Sequence, residues 1–315
     1  MFFSVVVPTY NRLPILRQCL AALAAQDLST APVVDGYEVV VVDDGSTDQT
    51  VTVLSQATAP HLRLLQQNHG GAAMARNLGV KAARGNVIVF IDSDLVVVKG
   101  FLAAHARALQ RHWRRHGNRL CFTYGAVINT SNFARPTAEP HKLTDLSWAY
   151  FATGNVAIDR QLLLRSGLFD PRFCQYGWED LELGERLRKL GVALVRCPEA
   201  VGYHWHPPFQ LRQVPRLIQQ EKERAHMALV FYRKHPTLRV RMIIQFTWLH
   251  LLLWQVLTLG GLLNARTMGP LLAALVRWER PGWAMELLRL HLNRICVQTI
   301  FTEARRQRRQ VPQPS

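Results

Sequence analysis

Val39-Val40-Val41-Val42-Asp43-Asp44-Gly45-Ser46-Thr47-Asp48 decides how the N-terminal half is read. Four consecutive β-branched residues favour extended backbone, and a run without polar alternation suits a strand covered on both faces. The run stops at two carboxylates. Ser46 or Thr47 is then suited to cap a helix, with Asp48 near its positive end. The same unit recurs on either side. Phe3–Val7, Glu38–Val42, Arg63–Leu65 and Asn86–Ile91 read as strands, and Leu13–Ala25, Thr47–Ala57 and Gly71–Ala83 carry helical spacing. Alternating strands and helices imply right-handed βαβ units, hence an α/β fold with a mainly parallel sheet. In such sheets ligands lie beyond the carboxyl ends of the strands, so chemistry is expected in the loops after Val7, Val42 and Ile91.

From Asn118 the texture changes. Cys121–Ile128 and Asn155–Ile158 read as strands, Asn129–Leu146 as a polar loop, Trp178–Leu190 as a helix stopped by Gly191, and Val192–Val195 as a further strand. A charged helix is expected over Leu211–Lys234. Met242–Leu263 then runs 22 residues without a formal charge, followed by the apolar stretch Met268–Val276, broken by Gly269-Pro270. The expected organisation is an α/β domain over 1–210, a helical region over 211–304 and a mobile basic tail over 305–315. The formal charge is +16, and Leu211–Ser315 holds 17 Lys+Arg against 5 Asp+Glu, leaving only +4 for the first 210 residues. A basic C-terminal third suits anionic lipid or a phosphorylated acceptor. It lies behind an apolar run rather than among interleaved aromatics, which disfavours nucleic acid. Five scattered cysteines without a CxxC pair argue against a disulfide framework or zinc knuckle and for a reducing, cytosolic setting, and no signal peptide is recognised.

Asp92-Ser93-Asp94 closes the strand ending at Ile91. Strand alternation would send Asp92 and Asp94 to one side and Ser93 to the other. Two carboxylates so close need compensation, and Mg²⁺ or Mn²⁺ supplies it while taking substrate phosphates as further ligands. Alone, the triplet also fits a solvated acidic turn. In the Asp43-Asp44 turn a carboxylate is placed to accept from a base or ribose. Gly70-Gly71-Ala72-Ala73 opens a helix with small residues that allow close approach, and Arg76 is within reach of a diphosphate or of an ordinary ion pair. No GxGxxG and no Walker lysine loop occurs, which disfavours a dinucleotide or P-loop site. Gly177-Trp178-Glu179-Asp180 puts two carboxylates at a helix start, where the dipole would keep a general base ionised, and Trp178 offers a flat face for a sugar ring. Tyr203-His204-Trp205-His206 supplies two imidazoles; His204 is favoured as a metal ligand because Pro207-Pro208 leads the chain away from His206.

Taken in order, Val7-Pro8-Thr9-Tyr10-Asn11-Arg12, Val42–Asp48, Ala75-Arg76-Asn77-Leu78-Gly79, Asp92-Ser93-Asp94, Thr153-Gly154-Asn155 and Gly177-Trp178-Glu179-Asp180 resemble the inverting family 2 glycosyltransferases of GT-A fold. The likeness covers roughly residues 3–207. The Trp-Glu-Asp element followed by His204 also resembles galactosyl- and N-acetylgalactosaminyl-transferring relatives. The resemblance implies a nucleotide-sugar donor, with UDP favoured, and a glycan or lipid-linked acceptor. Pro8, Thr9, Tyr10 and Asp44 would hold base and ribose, with Arg12 and Arg76 near the diphosphate. Asp92 and Ser93 would meet ribose or donor sugar, and Asp94 and His204 the Mn²⁺ or Mg²⁺ ion. Gly154, Asn155 and Trp178 would shape the sugar and acceptor pocket, Glu179 would bind acceptor hydroxyls and Asp180 would act as base. After residue 210 the resemblance stops.

As one helix, the 22 uncharged residues would extend about 33 Å, enough to cross a bilayer core. Gln245, Thr247, His250, Gln255 and Thr258 interrupt the run, and Gly260-Gly261 weakens its end. With arginines on both sides, the expectation is a helical hairpin docked on the cytosolic face of a membrane; a packing or dimerisation element is the alternative. Three other functions fit parts of the sequence: a nucleotidyltransferase, a basic nucleic-acid binder and an inactive scaffold of this fold. Pro8-Thr9-Tyr10-Asn11 stands where the first would carry a Gly-rich loop.

Overall fold

The computed structural model describes residues 1–56, 61–140 and 149–310. The chain divides into two compact units, Met1–Cys174 with Glu179–Pro207, and Gln175–Trp178 with Pro208–Ser315. The first unit is built on β1 (Phe2–Thr9), β2 (Gly36–Asp43), β3 (Leu62–Gln66), β4 (Val87–Ile91), β5 (Leu95–Val97), β6 (Cys121–Thr130), β7 (Asn155–Asp159) and β8 (Ala193–Trp205). They form one sheet in the order β3-β2-β1-β4-β7-β6-β8-β5. β1 to β4 are mutually parallel where they pair; β7 is antiparallel to β4 and β6, and β5 is antiparallel to β8. The sheet is therefore mixed, as a GT-A fold requires.

Alternate residues of the central strands feed two cores. Val5, Val7, Val39, Val41, Val87 and Val89 join the layer that contains Leu16 of α1 (Leu13–Ala24) and Leu102 of α4 (Phe101–His116). Val6, Ile88, Phe90 and Val156 face Val80 of α3 (Ala72–Ala82), Leu162 of α5 (Arg160–Arg165) and Leu183 of α6 (Glu179–Lys189). Burial on both faces accounts for the unbroken Val runs. α2 (Thr50–Ser55) is shorter than the expected Thr47–Ala57, whose last residue lies outside the described ones; Asp48, not Ser46 or Thr47, bonds Thr50 N at 3.0 Å. The expected loop 129–146 gives up Asn129 and Thr130 to β6 and contains a 3₁₀ turn at Pro136–Ala138; its residues 141–146 lie outside the described ones. α4 and β5 have no counterpart among the expected elements. β8 is 13 residues long where four were expected, because it passes a bulge opposite Gly125/Ala126 and goes on pairing as far as Trp205.

Asn155 fixes that bulge. Its amide donates to Ala126 O at 2.9 Å and Ala200 O at 2.8 Å, and its Oδ1 lies 3.0 Å from His105 Nε2. The side chain is fully buried, so the expectation that it shapes a donor pocket is replaced by a bracing role inside the sheet. Burial pushes the His105 pKa down to about 4, leaving a neutral ring that bonds Thr123 Oγ1 at 2.7 Å and serves as a fixed spacer.

In the second unit α7 (Val214–Lys234) is followed by α8 (Leu238–Ile243), α9 (Trp248–Leu257), α10 (Gly269–Arg277) and α11 (Pro281–Gln310). By length and composition Leu238–Leu257 suffices to cross a membrane, with hydropathy 1.3. The backbone, however, is not one helix: Gln245 adopts φ 59°, and Thr247 caps a new helix by accepting from His250 N. α9, with 10 residues, reaches about 15 Å, half a hydrocarbon core of about 30 Å. Pro270 sits in the first turn of α10 and starts that helix instead of breaking it, its missing N–H costing nothing there. Arg305–Arg309, expected as a mobile tail, continue α11. Buried Phe209, Met268, Leu272, Ala284, Leu288 and Leu292 form this unit's core.

A Cβ on Gly125 would stand 2.3 Å from Ala200 O and 2.4 Å from the Asn155 amide, both buried and fixed. Gly125→Ala is expected to destabilise the first unit by about 1–3 kcal/mol, read as a lowered thermal midpoint. An unchanged midpoint contradicts the bracing role of Asn155.

Candidate active site

The loops after β1, β2, β3 and β4 open on the same end of the sheet, as parallel order demands. Asn11, at φ 52°, ties two of them together: its Oδ1 accepts from Thr47 N at 2.8 Å and Asp48 N at 3.1 Å, and its N–H donates to Ser46 Oγ at 2.9 Å. Asp44 is buried and accepts from Gln67 Nε2 at 2.6 Å, Gly70 N at 2.8 Å and Gly71 N at 2.9 Å, with His69 Nδ1 at 2.9 Å. It thereby fixes the loop that opens α3. Tyr10 is exposed and stacks on His69 at 4.4 Å, making an aromatic pair beside Asp44. Pro8 and Thr9, which precede Tyr10 at the end of β1, are buried, with Thr9 Oγ1 unpaired. His69, Gln67 and Asn11 were not expected in the site. The only hint was their place beside Gly70-Gly71 and Tyr10.

Asp92-Ser93-Asp94 is not strand but a turn closed by Leu95 N to Asp92 O at 3.0 Å. The two carboxylates still converge, for a different reason from alternation. Leaving the turn, β5 pairs antiparallel with β8 in the register Leu95↔His204, and Trp205 N donates to Asp94 O at 2.9 Å. That register delivers the imidazole. Ligand atoms of Asp92, Asp94 and His204 lie within 4.8 Å of one another, and His204 Nε2 is 3.0 Å from Asp94 Oδ1. His206 turns to Asn129 Oδ1 at 3.1 Å, and burial together with His204 pushes its pKa down to about 4. Ser93 is buried.

Charge compensation organises the rest. Burial disfavours an ionised Asp94, but contact with His204 and the charge of Arg12, whose guanidinium bonds its Oδ2, outweigh it and hold the pKa down. Burial likewise opposes a charged His204, and Asp94 holds its pKa up. Arg76 is buried between Asp92 Oδ1 at 2.8 Å and Glu179 Oε1 at 3.4 Å; those carboxylates, with Asp180, keep it cationic against burial. A Cβ on Gly154 would lie 3.4 Å from Asp92 Oδ2, so Gly154 borders the same carboxylate. Asp180 differs from its expected state. Burial, then the charge of Glu179, push its pKa up to about 7 despite Arg76 and the bond from Leu181 N, so the helix dipole does not decide its ionisation. Trp178 is not an open platform. At φ 75° it stands outside α6, its indole is buried within the C-terminal unit, Nε1 donates to Arg224 O at 2.8 Å and the Arg224 guanidinium covers a ring face at 4.7 Å.

Two carboxylates and an imidazole suit a hard or borderline divalent ion such as Mn²⁺ or Mg²⁺. The fit is supported by Asp94 Oδ1, a buried oxygen that lies 3.0 Å from His204 Nε2 without an aligned hydrogen bond. Arg12 and His204 meet in part the charge requirement that a cation would satisfy.

A mixed sheet with this acidic turn at its carboxyl end is the arrangement of a GT-A fold. The fold matches S. aureus TarS in complex with UDP, at TM-score 0.50 and 20% identity over 99% of this chain and 93% of that one. It also matches GalNAc-T7 with UDP, GalNAc and Mn²⁺, at TM-score 0.51 and 16% identity over 71% and 47%. The family model for glycosyl transferase family 2 matches residues 4–163, and the chain belongs to that family. Among its relatives are validoxylamine A glucosyltransferase of Streptomyces hygroscopicus subsp. limoneus, 32% identical over 75% of this chain and 57% of that protein, and chondroitin synthase of Escherichia coli, 28% identical over 65% and 35%. An uncharacterized glycosyltransferase of Bacillus subtilis, YfnE, is 26% identical over 67% and 66%. The chain thus spans about one third to two thirds of the length of these relatives.

His204→Ala removes one donor of the triad. Its Mn²⁺ affinity, read by electron paramagnetic resonance of free Mn²⁺, is expected to fall at least about tenfold, with the fold preserved by circular dichroism. Wild-type affinity in the variant removes His204 from the ligand set.

Proposed function

We propose that the chain transfers a sugar with inversion from UDP-sugar to a hydroxyl of a glycan or lipid-linked acceptor, and that Asp180 is the base. The observation that carries this reading is the placement of Asp180 beside Glu179 in a cluster that Arg76 joins to Asp92, where burial and Glu179 raise its pKa. A hydroxyl is a poor nucleophile, and a carboxylate titrating near neutrality accepts its proton better than one titrating near 4. Glu179, held by Arg76, orients acceptor hydroxyls through its free Oε2. The Tyr10–His69 pair offers a stacking surface for the base, with Pro8 and Thr9 preceding Tyr10 at the end of β1. Asp44 acts indirectly, by shaping the Gln67–Gly71 loop around the nucleotide. Arg12 and Arg76 supply guanidinium groups for the diphosphate, and Gly154 leaves room beside Asp92 for the donor sugar. Mn²⁺ or Mg²⁺ on Asp94, His204 and Asp92 would neutralise charge on the leaving diphosphate. The GalNAc-T7 structure with UDP and Mn²⁺ and the TarS structure with UDP support the choice of donor class and metal.

The C-terminal unit supports membrane contact as part of this reading. α9 turns its apolar face outward: Trp248, Leu249, Leu252, Leu253, Val256 and Leu257 are exposed. Trp278 and Trp283 are 66% and 69% exposed, and no acidic residue occurs between Glu223 and Glu279. Apolar and aromatic side chains amid arginines suit the interface of an anionic leaflet, on which α9 would lie without crossing.

Asp180→Asn is expected to lower transfer by ~10²–10⁴ while UDP affinity stays near wild type. Below about pH 7 Asp180 is protonated and cannot accept a proton, so wild-type kcat/KM should rise with pH through about 7. A rate independent of pH between 5.5 and 8.5, or wild-type turnover in the variant, rules out the base. In flotation assays the chain should rise with phosphatidylglycerol vesicles, and Leu252→Glu with Val256→Glu should leave it in the soluble fraction. Equal flotation of both proteins, or of neither, contradicts docking through α9.

A further inference from the structure

Away from the donor site, one surface of the first unit gathers positive charge that the transfer reaction does not use. Arg107, Arg111 and Arg115 recur every fourth residue of α4 and so share one face, with His112 and His116 beside them. This face and the β8 segment Val195–Glu199 enclose a cleft of ≈ 360 Å³ whose lining includes these five residues, Arg196 and a single carboxylate, Glu199. Ala104 and Ala108 line it as well, small enough to keep it open. A second hollow of ≈ 520 Å³ shares the three arginines and adds Arg114.

Cations in the last turn of a helix complement its dipole, which accounts for Arg114, Arg115 and His116. It does not account for Arg111 or for Arg107, which lie earlier; Arg107 donates to the neutral Thr30 Oγ1 at 2.6 Å. Like charges four apart destabilise a helix. Among the described residues no carboxylate pairs with Arg111, Arg114 or Arg115. The cleft is also remote from the carboxylate cluster. Arg196 pairs with Tyr124 and His204 with Asn129, five residues further along β6, or about 17 Å at ~3.4 Å per residue.

We propose that this cleft is a second anion site, which takes a ligand carrying two or more phosphate groups. Successive arginines four apart on α4 stand about 6 Å apart, in a row of about 12 Å. Each guanidinium presents a planar fork that matches a phosphate bidentately. A row of forks at that spacing fits linked phosphates better than one isolated anion. The phosphates are those of a soluble ligand or of lipid headgroups, and the two sources are separable.

The test uses the full chain with UDP in excess and no free divalent metal, which tripolyphosphate would chelate, titrated calorimetrically with inorganic tripolyphosphate. Binding is expected in the wild type and at least tenfold weaker in Arg111→Ala/Arg115→Ala, with UDP affinity, donor hydrolysis and thermal midpoint unchanged. A second arm compares sedimentation of the wild type and of Arg111→Ala/Arg115→Ala with phosphatidylglycerol vesicles, α9 being intact in both. If the two arginine changes abolish tripolyphosphate binding and leave sedimentation alone, the ligand is soluble. If they reduce sedimentation, it is a lipid headgroup. Should the arginine variant match its parent in both arms, the site does not exist.

Discussion

Arg76 is the constraint on which the candidate site depends. It is buried, it bonds Asp92 and Glu179, and its charge also acts on Asp180. Three carboxylates brought together from β4's turn and α6 would repel one another in a poorly solvated setting. One fixed guanidinium makes their company tolerable. Arginine suits this place better than lysine, because a planar fork serves two carboxylates at once. The compensation is incomplete: Asp180 makes no ion pair with Arg76 among the described residues and carries the raised pKa. The site therefore holds one carboxylate with a raised pKa beside two that are ion-paired to Arg76.

A second constraint is topological. His204 and Asp94 are 110 positions apart in sequence, and their approach depends on β8 running past its bulge to pair with β5. Asn155, from the intervening strand β7, holds the bulge by bonding carbonyls on both of its sides, Ala126 and Ala200. Gly125 makes room for it. A residue that touches no reacting atom thus sets the register that completes the acidic triad. Fixed geometry at such a distance is worth more than the few hydrogen bonds involved, because a one-residue slip would turn His204 to the other face.

Much of the α/β pattern was legible because both faces of the central strands are covered, which leaves unmistakable Val-rich runs. The acidic turns were legible because they interrupt those runs. Three features escaped for physical reasons. α4 is a helix whose outer face is nearly all cationic, so its polar texture hides its buried Phe101, Leu102 and Leu109. The length of β8 depends on a non-local bulge that no local pattern encodes. The convergence of Asp92 and Asp94 was expected from alternation but arises from a turn, so the outcome agreed while the cause did not. Trp178 shows the opposite failure. An aromatic next to two carboxylates reads as a sugar platform, yet its ring is taken up by Arg224 within the other unit. Local sequence cannot tell a wet aromatic from a dry one.

On the proposed reading, the electrostatics of the cluster would also link donor loading to the strength of Asp180 as a base. Asp92 contributes to the raised pKa of Asp180, after burial and Glu179. Whatever neutralises Asp92 removes that contribution and leaves Asp180 the stronger acid of the two states. A donor whose charge is balanced beside Asp92 would thus bring Asp180 closer to its ionised form when a sugar is in place for the acceptor hydroxyl to receive. Arg76 pulls the same way only while it stays between Asp92 and Glu179; drawn toward a diphosphate, it would release Glu179 and push Asp180 back up. For the base proposed above, opposing contributions from neighbouring groups leave Asp180 with a pKa above that of an isolated carboxylate in water.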